Sequence, residues 1–219
     1  MKKVVSFSLW GDNPKYCVGA IKNASLIKKI YPGWESWFYC GSSVPQEVID
    51  FIIKEGGKVF LKSEQGDWTG MFWRFEPIAH PEVEIMISRD ADSRVSERES
   101  FAVNSWLESD KLFHVMRDHP AHAIEILGGM WGAKKPLLGD MMHLIKAYSK
   151  GNFWQVDQNF LKEVVWPRVS YTTMTHDEFF AKLPFPKSRN GAEFVGQVYD
   201  ENDVPNAEYS SSLLDALKA

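Results

Sequence analysis

Apolar runs separated by polar turns recur along the first third of the chain, and their periods alternate. Lys3 to Ser8 is a β-branched and aromatic run, which predicts a buried strand. Gly11-Asp12-Asn13-Pro14 follows as a polar turn, with Pro14 suited to a first helical turn. From Tyr16 to Tyr31, apolar residues at Val18, Ile21, Leu26, Ile27 and Ile30 keep a helical period until Pro32-Gly33 stops it. Trp37 to Cys40 is the next strand. Pro45 to Glu55 is a second helix with Val48, Ile49, Ile52 and Ile53 on one face, and Val59 to Leu61 is a third strand. This rhythm predicts an open α/β sheet of mostly parallel order, and such sheets bind ligands beyond the carboxyl ends of their strands.

The second half is less regular. The pattern predicts a short helix over Met71 to Ile78 and a very apolar strand over Val83 to Ile87. Ser96 with Glu99 reads as a capping box opening a helix to about Leu107, and Leu112 to Met116 as a strand. Helices are expected over Leu137 to Tyr148 and Gln158 to Val165, and strands over Val169 to Tyr171 and Glu193 to Tyr199. The tail from Ser210 to Ala219 reads as a short helix or a frayed end. No repeat or linker interrupts the chain, so 1–219 is read as a single domain.

Composition narrows the classes. Of 219 residues, 44% are hydrophobic and 25% charged with both signs interspersed, enough for a full core. The formal net charge of −4 lacks the basic excess of a dedicated nucleic-acid binder. No apolar run reaches the length of a membrane span, and the Met1-Lys2-Lys3 start lacks a signal-peptide core, so a cytoplasmic protein is expected. Cys17 and Cys40 are too few for a metal or disulfide framework and read as buried thiols. The 14% aromatic content, including 9 Trp, fits a well-filled core or a cleft that stacks flat or ring-shaped ligands.

The string that carries chemistry is Ile85-Met86-Ile87-Ser88-Arg89-Asp90-Ala91-Asp92. A hydrophobic strand ends and two carboxylates follow, two residues apart. Hard oxygen ligands suit Mg²⁺ or Mn²⁺, which keep positions open for phosphate oxygens. Neither a G-x-G-x-x-G turn nor a G-x-x-x-x-G-K-[ST] loop follows the first strand, which disfavours a dinucleotide fold and a P-loop.

Taken in order, these parts resemble a nucleotide-sugar glycosyltransferase of the GT-A fold, similar to small bacterial and large-virus domains including a chlorella-virus type. The matching parts are the Val4–Ser8 strand with its polar loop, Asp90-Ala91-Asp92, the Ile126–Gly132 segment, Asp157-Gln158 and a late His176 before a basic loop. The resemblance implies a Rossmann-like, mostly parallel sheet flanked by helices. A donor half would span about 1–95 and an acceptor half about 96–205, with 206–219 as a tail. It implies a Mn²⁺ or Mg²⁺ cofactor, a UDP-sugar donor such as UDP-glucose, and a glycan or other hydroxyl acceptor.

It also implies roles for single residues. Asp92 would bind the metal, and Asp90 would share it or face the ribose or donor sugar. Ser8, Trp10 and Asp12 would meet the nucleotide, although a helix cap at Asp12 or Asn13 explains that turn equally. Arg74, a charge among aromatics, could pair with a phosphate or with Asp90, or lie along the surface. Gly128, Gly129 and Trp131 would approach the sugar, and His119 the acceptor. His176 would give a third metal ligand or bond the diphosphate, and Lys187 and Arg189 would close over the phosphates. Asp157 would be the base of an inverting transfer, the favoured course, whereas Gln158 would serve a retaining one. A nucleotidyltransferase and a non-catalytic nucleotide- or sugar-binding module are the competing readings. The first is weakened by the absence of a glycine-rich basic loop at Leu9 to Asn13.

Overall fold

The computed structural model describes residues 1–218. Seven strands form one sheet: β1 (Lys2–Leu9), β2 (Glu35–Cys40), β3 (Lys58–Leu61), β4 (Val83–Ser88), β5 (Phe113–Arg117), β6 (Trp131–Lys134) and β7 (Thr173–Asp177). Their spatial order is β3-β2-β1-β4-β6-β5-β7. β6 runs antiparallel to both of its neighbours, and the other four pairings are parallel. The expected mixed, mostly parallel sheet is the one observed.

Period-two alternation makes both faces of the sheet apolar. Val4, Trp37 and Met86 enter one core layer, with Phe75, Phe113 and Trp131. Their neighbours Val5, Phe38 and Ile87 enter the other. That second layer is covered by α1 (Pro14–Ile30), α2 (Gln46–Lys54) and α3 (Glu97–Leu107). Asn13 caps α1 by accepting from the Lys15 amide at 3.0 Å, with Pro14 at the first helical position. Ser96 caps α3, but the Glu99 side chain does not reach back to it. That carboxylate instead accepts from Tyr31 and Arg89, so only half of the expected box forms.

The first layer is covered by successive 3₁₀ turns over Trp68–Ala79 and by α4 (Met141–Ala147) and α5 (Val156–Phe160). Here several expectations are corrected. The α4 helix starts only at Met141, because Leu138 at a φ of 59° and Gly139 precede it. The helix expected over Gln158 to Val165 begins at Val156 and passes into a π-helical turn at Leu161–Val165. Val169 to Tyr171 is not a strand. Pro167 sits in the first turn of α6 (Trp166–Val169), a 3₁₀ turn follows, and the strand comes later as β7. Glu193 to Tyr199 is irregular, with Gly196 at a φ of 82° and only isolated bridges, from Val198 to Ser93 and from Tyr199 to Pro205. The tail folds as α7 (Ala207–Ala216), while Ala219 lies outside the described residues.

Strand order places the ligand-binding edge. The chain leaves β1 outward to β2 and β3, then returns to lay β4 against the other side of β1. The carboxyl ends of β1 and β4 therefore lie side by side at a point where the winding reverses, with Ser6 opposite Ser88. Because β6 runs antiparallel, its start at Trp131 lies opposite Ser88, and this brings the preceding glycines to the same edge.

Candidate active site

A cleft of about 510 Å³ opens at this edge. Its walls come from the end of β1 and the turn after it (Ser8 to Asn13), from Tyr16 of α1, from Trp68, Met71 and Arg74 of the 3₁₀ segment, from Asp90 to Asp92 after β4, and from Trp154 and Val198. No group of three or more His, Cys, Asp or Glu side chains that could hold a metal is gathered among the described residues.

The carboxylate turn is anchored from behind. Arg89 is 1% exposed; its Nε donates to Glu99 of α3 at 2.9 Å and its Nη1 to the Ser88 carbonyl at 2.7 Å. With Arg89 pinned inward, Asp90 and Asp92 stand at the cleft. Ser93 closes the turn, donating from its amide and its hydroxyl to the Asp90 carbonyl. Buried Asn23 of α1 holds the exit, donating to the Ser93 carbonyl at 2.8 Å and accepting from the Val95 amide.

Each carboxylate of the pair already has a cation. Lys15 Nζ lies 2.7 Å from Asp92 Oδ2. Arg74, 3% exposed, pairs through Nη1 with Asp90 and donates through Nη2 to Asp157 Oδ2 at 2.9 Å. Its amide donates to Ser8 Oγ at 2.9 Å, so the end of β1 fixes the backbone that carries the guanidinium. The Arg74 Nε is buried with no partner. Burial pushes the Asp92 carboxyl up, Asp90 adds to this, and Lys15 opposes it. Burial also raises Asp157, with Arg74 pulling the other way.

The glycine pair makes this packing possible. A side chain on Gly129 would run into the Asp90 carboxylate. One on Gly128 would meet the Arg74 guanidinium and would come within 2.8 Å of Asp157 Oδ2. Gly128 is tied to β4 by the Ser88 hydroxyl, which donates to its carbonyl at 2.7 Å.

The structure therefore gathers Ser8, Trp10, Asp12, Arg74, Asp90, Asp92, Gly128, Gly129 and Asp157 around one place, with Gln158 beside Asp157 in α5. Asp157, however, is 1% exposed and bonded to Arg74, so it lies behind the guanidinium rather than at the cleft surface. Gln158 Oε1 is buried without a partner. Five expected site residues lie elsewhere. Trp131 is a core residue, stacked on Phe113 with centroids 5.3 Å apart, because its position in β6 points it into the apolar layer. His176 is in β7, toward the far side of the sheet, with Nδ1 2.8 Å from His114 Nε2. His119 holds α7, sharing its Nε2 with the Tyr209 carbonyl at 2.9 Å. Lys187 pairs with Glu97, and Arg189 donates to Asp118 Oδ1 at 2.6 Å within a buried ionic cluster that includes Arg98. Lys15, Arg89, Tyr16, Trp68 and Trp154 were not singled out by the sequence. Lys15 could have been found as a cation in the first turn of the helix that follows the ligand loop. Trp154 could have been found as the second of two aromatics, after Phe153, that follow the polar run Lys150-Gly151-Asn152.

No protein-family profile matches the sequence, and no curated protein does. The fold does find relatives among solved structures. It is similar to a glycosyltransferase involved in glycosylation of the major capsid of PBCV-1, with a TM-score of 0.56, 14% identity, and 83% of this chain and 84% of that one covered. It is also similar to glucosyl-3-phosphoglycerate synthase from Mycobacterium tuberculosis, solved with Mn²⁺, UDP and glucosyl-3-phosphoglycerate, with a TM-score of 0.54 and 12% identity over 86% and 72% of the two chains. A third likeness is to 4-diphosphocytidyl-2C-methyl-D-erythritol synthase from Anaerococcus prevotii, with a TM-score of 0.52 and 9% identity over 86% and 91%. The chain has a GT-A-like fold.

Proposed function

We propose that the protein is a metal-dependent glycosyltransferase that moves a hexose from a nucleotide diphosphate sugar, a UDP-sugar in the first place, to a hydroxyl group. The observation that carries this reading is the carboxylate pair Asp90 and Asp92 at the β1/β4 switch point, in a cleft whose walls include Trp10 and Tyr16. The donor set fits a hard divalent cation, since such ions are commonly held by one or two carboxylates with substrate phosphates completing the shell. Asp90 and Asp92 would hold Mn²⁺ or Mg²⁺, which when bound supplies stabilisation of the charge developing on a departing diphosphate. A third protein ligand at His176 is not needed for that fit.

The chain's own residues do the rest. Arg74 and Lys15 are paired with the two carboxylates that would hold the metal, and would stabilise the charge developing on a diphosphate bound there. Ser8 and Asp157 hold Arg74 in place from its amide and from Nη2. Asp157 is therefore assigned first to positioning Arg74. Its use as an inverting base would require its carboxylate to come within hydrogen-bond reach of the acceptor hydroxyl. The turn from Ser8 to Asn13 supports a nucleoside site beside β1, and Asn13 is already committed to capping α1.

The likeness to the diphosphocytidyl synthase supports a second reading, nucleotidyl transfer on the same fold. The two reactions release different products. Incubation with UDP-glucose, Mn²⁺ and a panel of hydroxyl acceptors should release UDP. Pyrophosphate released from a nucleoside triphosphate, with no UDP from the sugar nucleotide, would favour nucleotidyl transfer.

A further inference from the structure

Two indoles on the wall of the cleft have no structural task. Trp154 is 66% exposed and Trp68 is 44% exposed, yet both line the same cavity as Asp90 and Asp92. Leaving so much apolar surface in water forgoes the stabilisation that burial would give, and neither ring belongs to the core clusters. Both are held on built loops. Asn152 Nδ2 donates to Asp67 Oδ2 at 2.7 Å and so ties the loop of Trp154 to that of Trp68. The other oxygen of Asp67 accepts from the Thr69 amide at 2.8 Å, which caps the 3₁₀ segment beside Trp68. On the far side of Trp154, Gln155 sits at a φ of 69°, a left-handed conformation that costs a non-glycine residue about 1 kcal/mol.

From this we infer that Trp68 and Trp154 form an aromatic clamp that binds the acceptor, and that the acceptor is an uncharged pyranoside. An indole face packs against the C–H face of a sugar ring, and tryptophan offers a large rigid area at small entropic cost. The charge of the cleft selects against acidic acceptors. Its charged lining residues are Asp12, Asp90, Asp92 and Arg74, and the Arg74 guanidinium nitrogens Nη1 and Nη2 already face carboxylates. With Arg74 and Lys15 committed to the carboxylates and to the donor diphosphate, a phosphorylated or carboxylated acceptor would meet negative charge and no further cation among the lining residues. The assignment of this ligand as acceptor rests on the glycosyl-transfer reading of the cleft.

The test is a panel of immobilised neutral, phosphorylated and uronate-bearing glycans, probed with the full chain with and without UDP and Mn²⁺. Trp154→Ala, Trp68→Ala and Trp154→Phe are compared with the parent, and UDP·Mn²⁺ affinity is measured in parallel. The expected result is binding to neutral pyranosides, weakened at least about fivefold by either alanine, restored in part by phenylalanine, and with UDP affinity unchanged. Absence of glycan binding by the parent, preference for anionic glycans, or alanine variants that bind as the parent does would each overturn the clamp. So would a fall in UDP affinity, which would give the indoles to the nucleobase. Retained neutral-glycan binding in a protein that ignores UDP and Mn²⁺ would uphold the clamp as a sugar site while refuting glycosyl transfer.

Discussion

Arg74 is a single side chain shared by two carboxylates, with its third nitrogen left bare in the interior. Such an arrangement is costly unless the geometry is useful, because a buried charge loses its hydration. Asp157→Asn should weaken UDP binding roughly tenfold, the worth of one charged hydrogen bond in a buried site, with turnover falling alongside. Calorimetry with steady-state kinetics separates the two roles. Turnover lower by about 100-fold at unchanged UDP affinity would instead mark Asp157 as a base. Lys15 makes a complementary case, since it is the cation now on Asp92. Lys15→Met removes a competitor for that carboxylate. Mn²⁺ titrated without nucleotide should bind about two- to fivefold tighter, in keeping with the small worth of a partly exposed ion pair.

Among the elements, β5 and β7 carry a buried histidine pair that the catalytic reading does not use. His114 Nε2 and His176 Nδ1 are 2.8 Å apart, and His114 stacks on Trp106. Burial holds both rings neutral, helped by Arg98 beside His176 and by His176, Arg89 and Lys134 around His114. The His176 pKa falls from 6.5 to about 4. In that window the unfolded chain binds protons that the folded protein refuses. The stability contribution is therefore complete above pH 6.5 and is lost as pH falls towards 4. Urea midpoints measured from pH 7 down to pH 4.5 should decline, and His176→Gln should decline less steeply; parallel declines would remove the pair as the cause. The pair also marks how far the sequence could be read. Strong periods made β1, β2, β4, α1 and α2 visible, because each buries one consistent face. β7 was displaced by four residues, since Val169 to Tyr171 looks β-prone while Pro167 commits the stretch to a helical turn. The Gly196 turn likewise breaks a run that composition alone reads as a strand.

For the molecule as a whole, the candidate cleft lies where one sheet reverses its winding. The residues of the candidate cleft that sit on or next to β1 and β4 could be placed there from the sequence, because a strand end is a place that sequence can mark. Asp90, Asp92, Ser8, Trp10 and Asp12 belong to this class. His119, His176, Lys187 and Arg189 were misplaced because chain order does not say on which side of a sheet a late segment packs. Instead, the segment carrying Lys187 and Arg189 is tied by Arg98 and Asp118. Trp131 failed for a simpler reason, as one step of strand alternation turned it inward. The most direct measurement is calorimetric titration of UDP-glucose into the parent and into Asp92→Asn, each with and without Mn²⁺. The account predicts binding by the parent that depends on Mn²⁺ and is strongly weakened in Asp92→Asn even at saturating metal. Equal affinity in the two proteins, or parent binding indifferent to Mn²⁺, would contradict it.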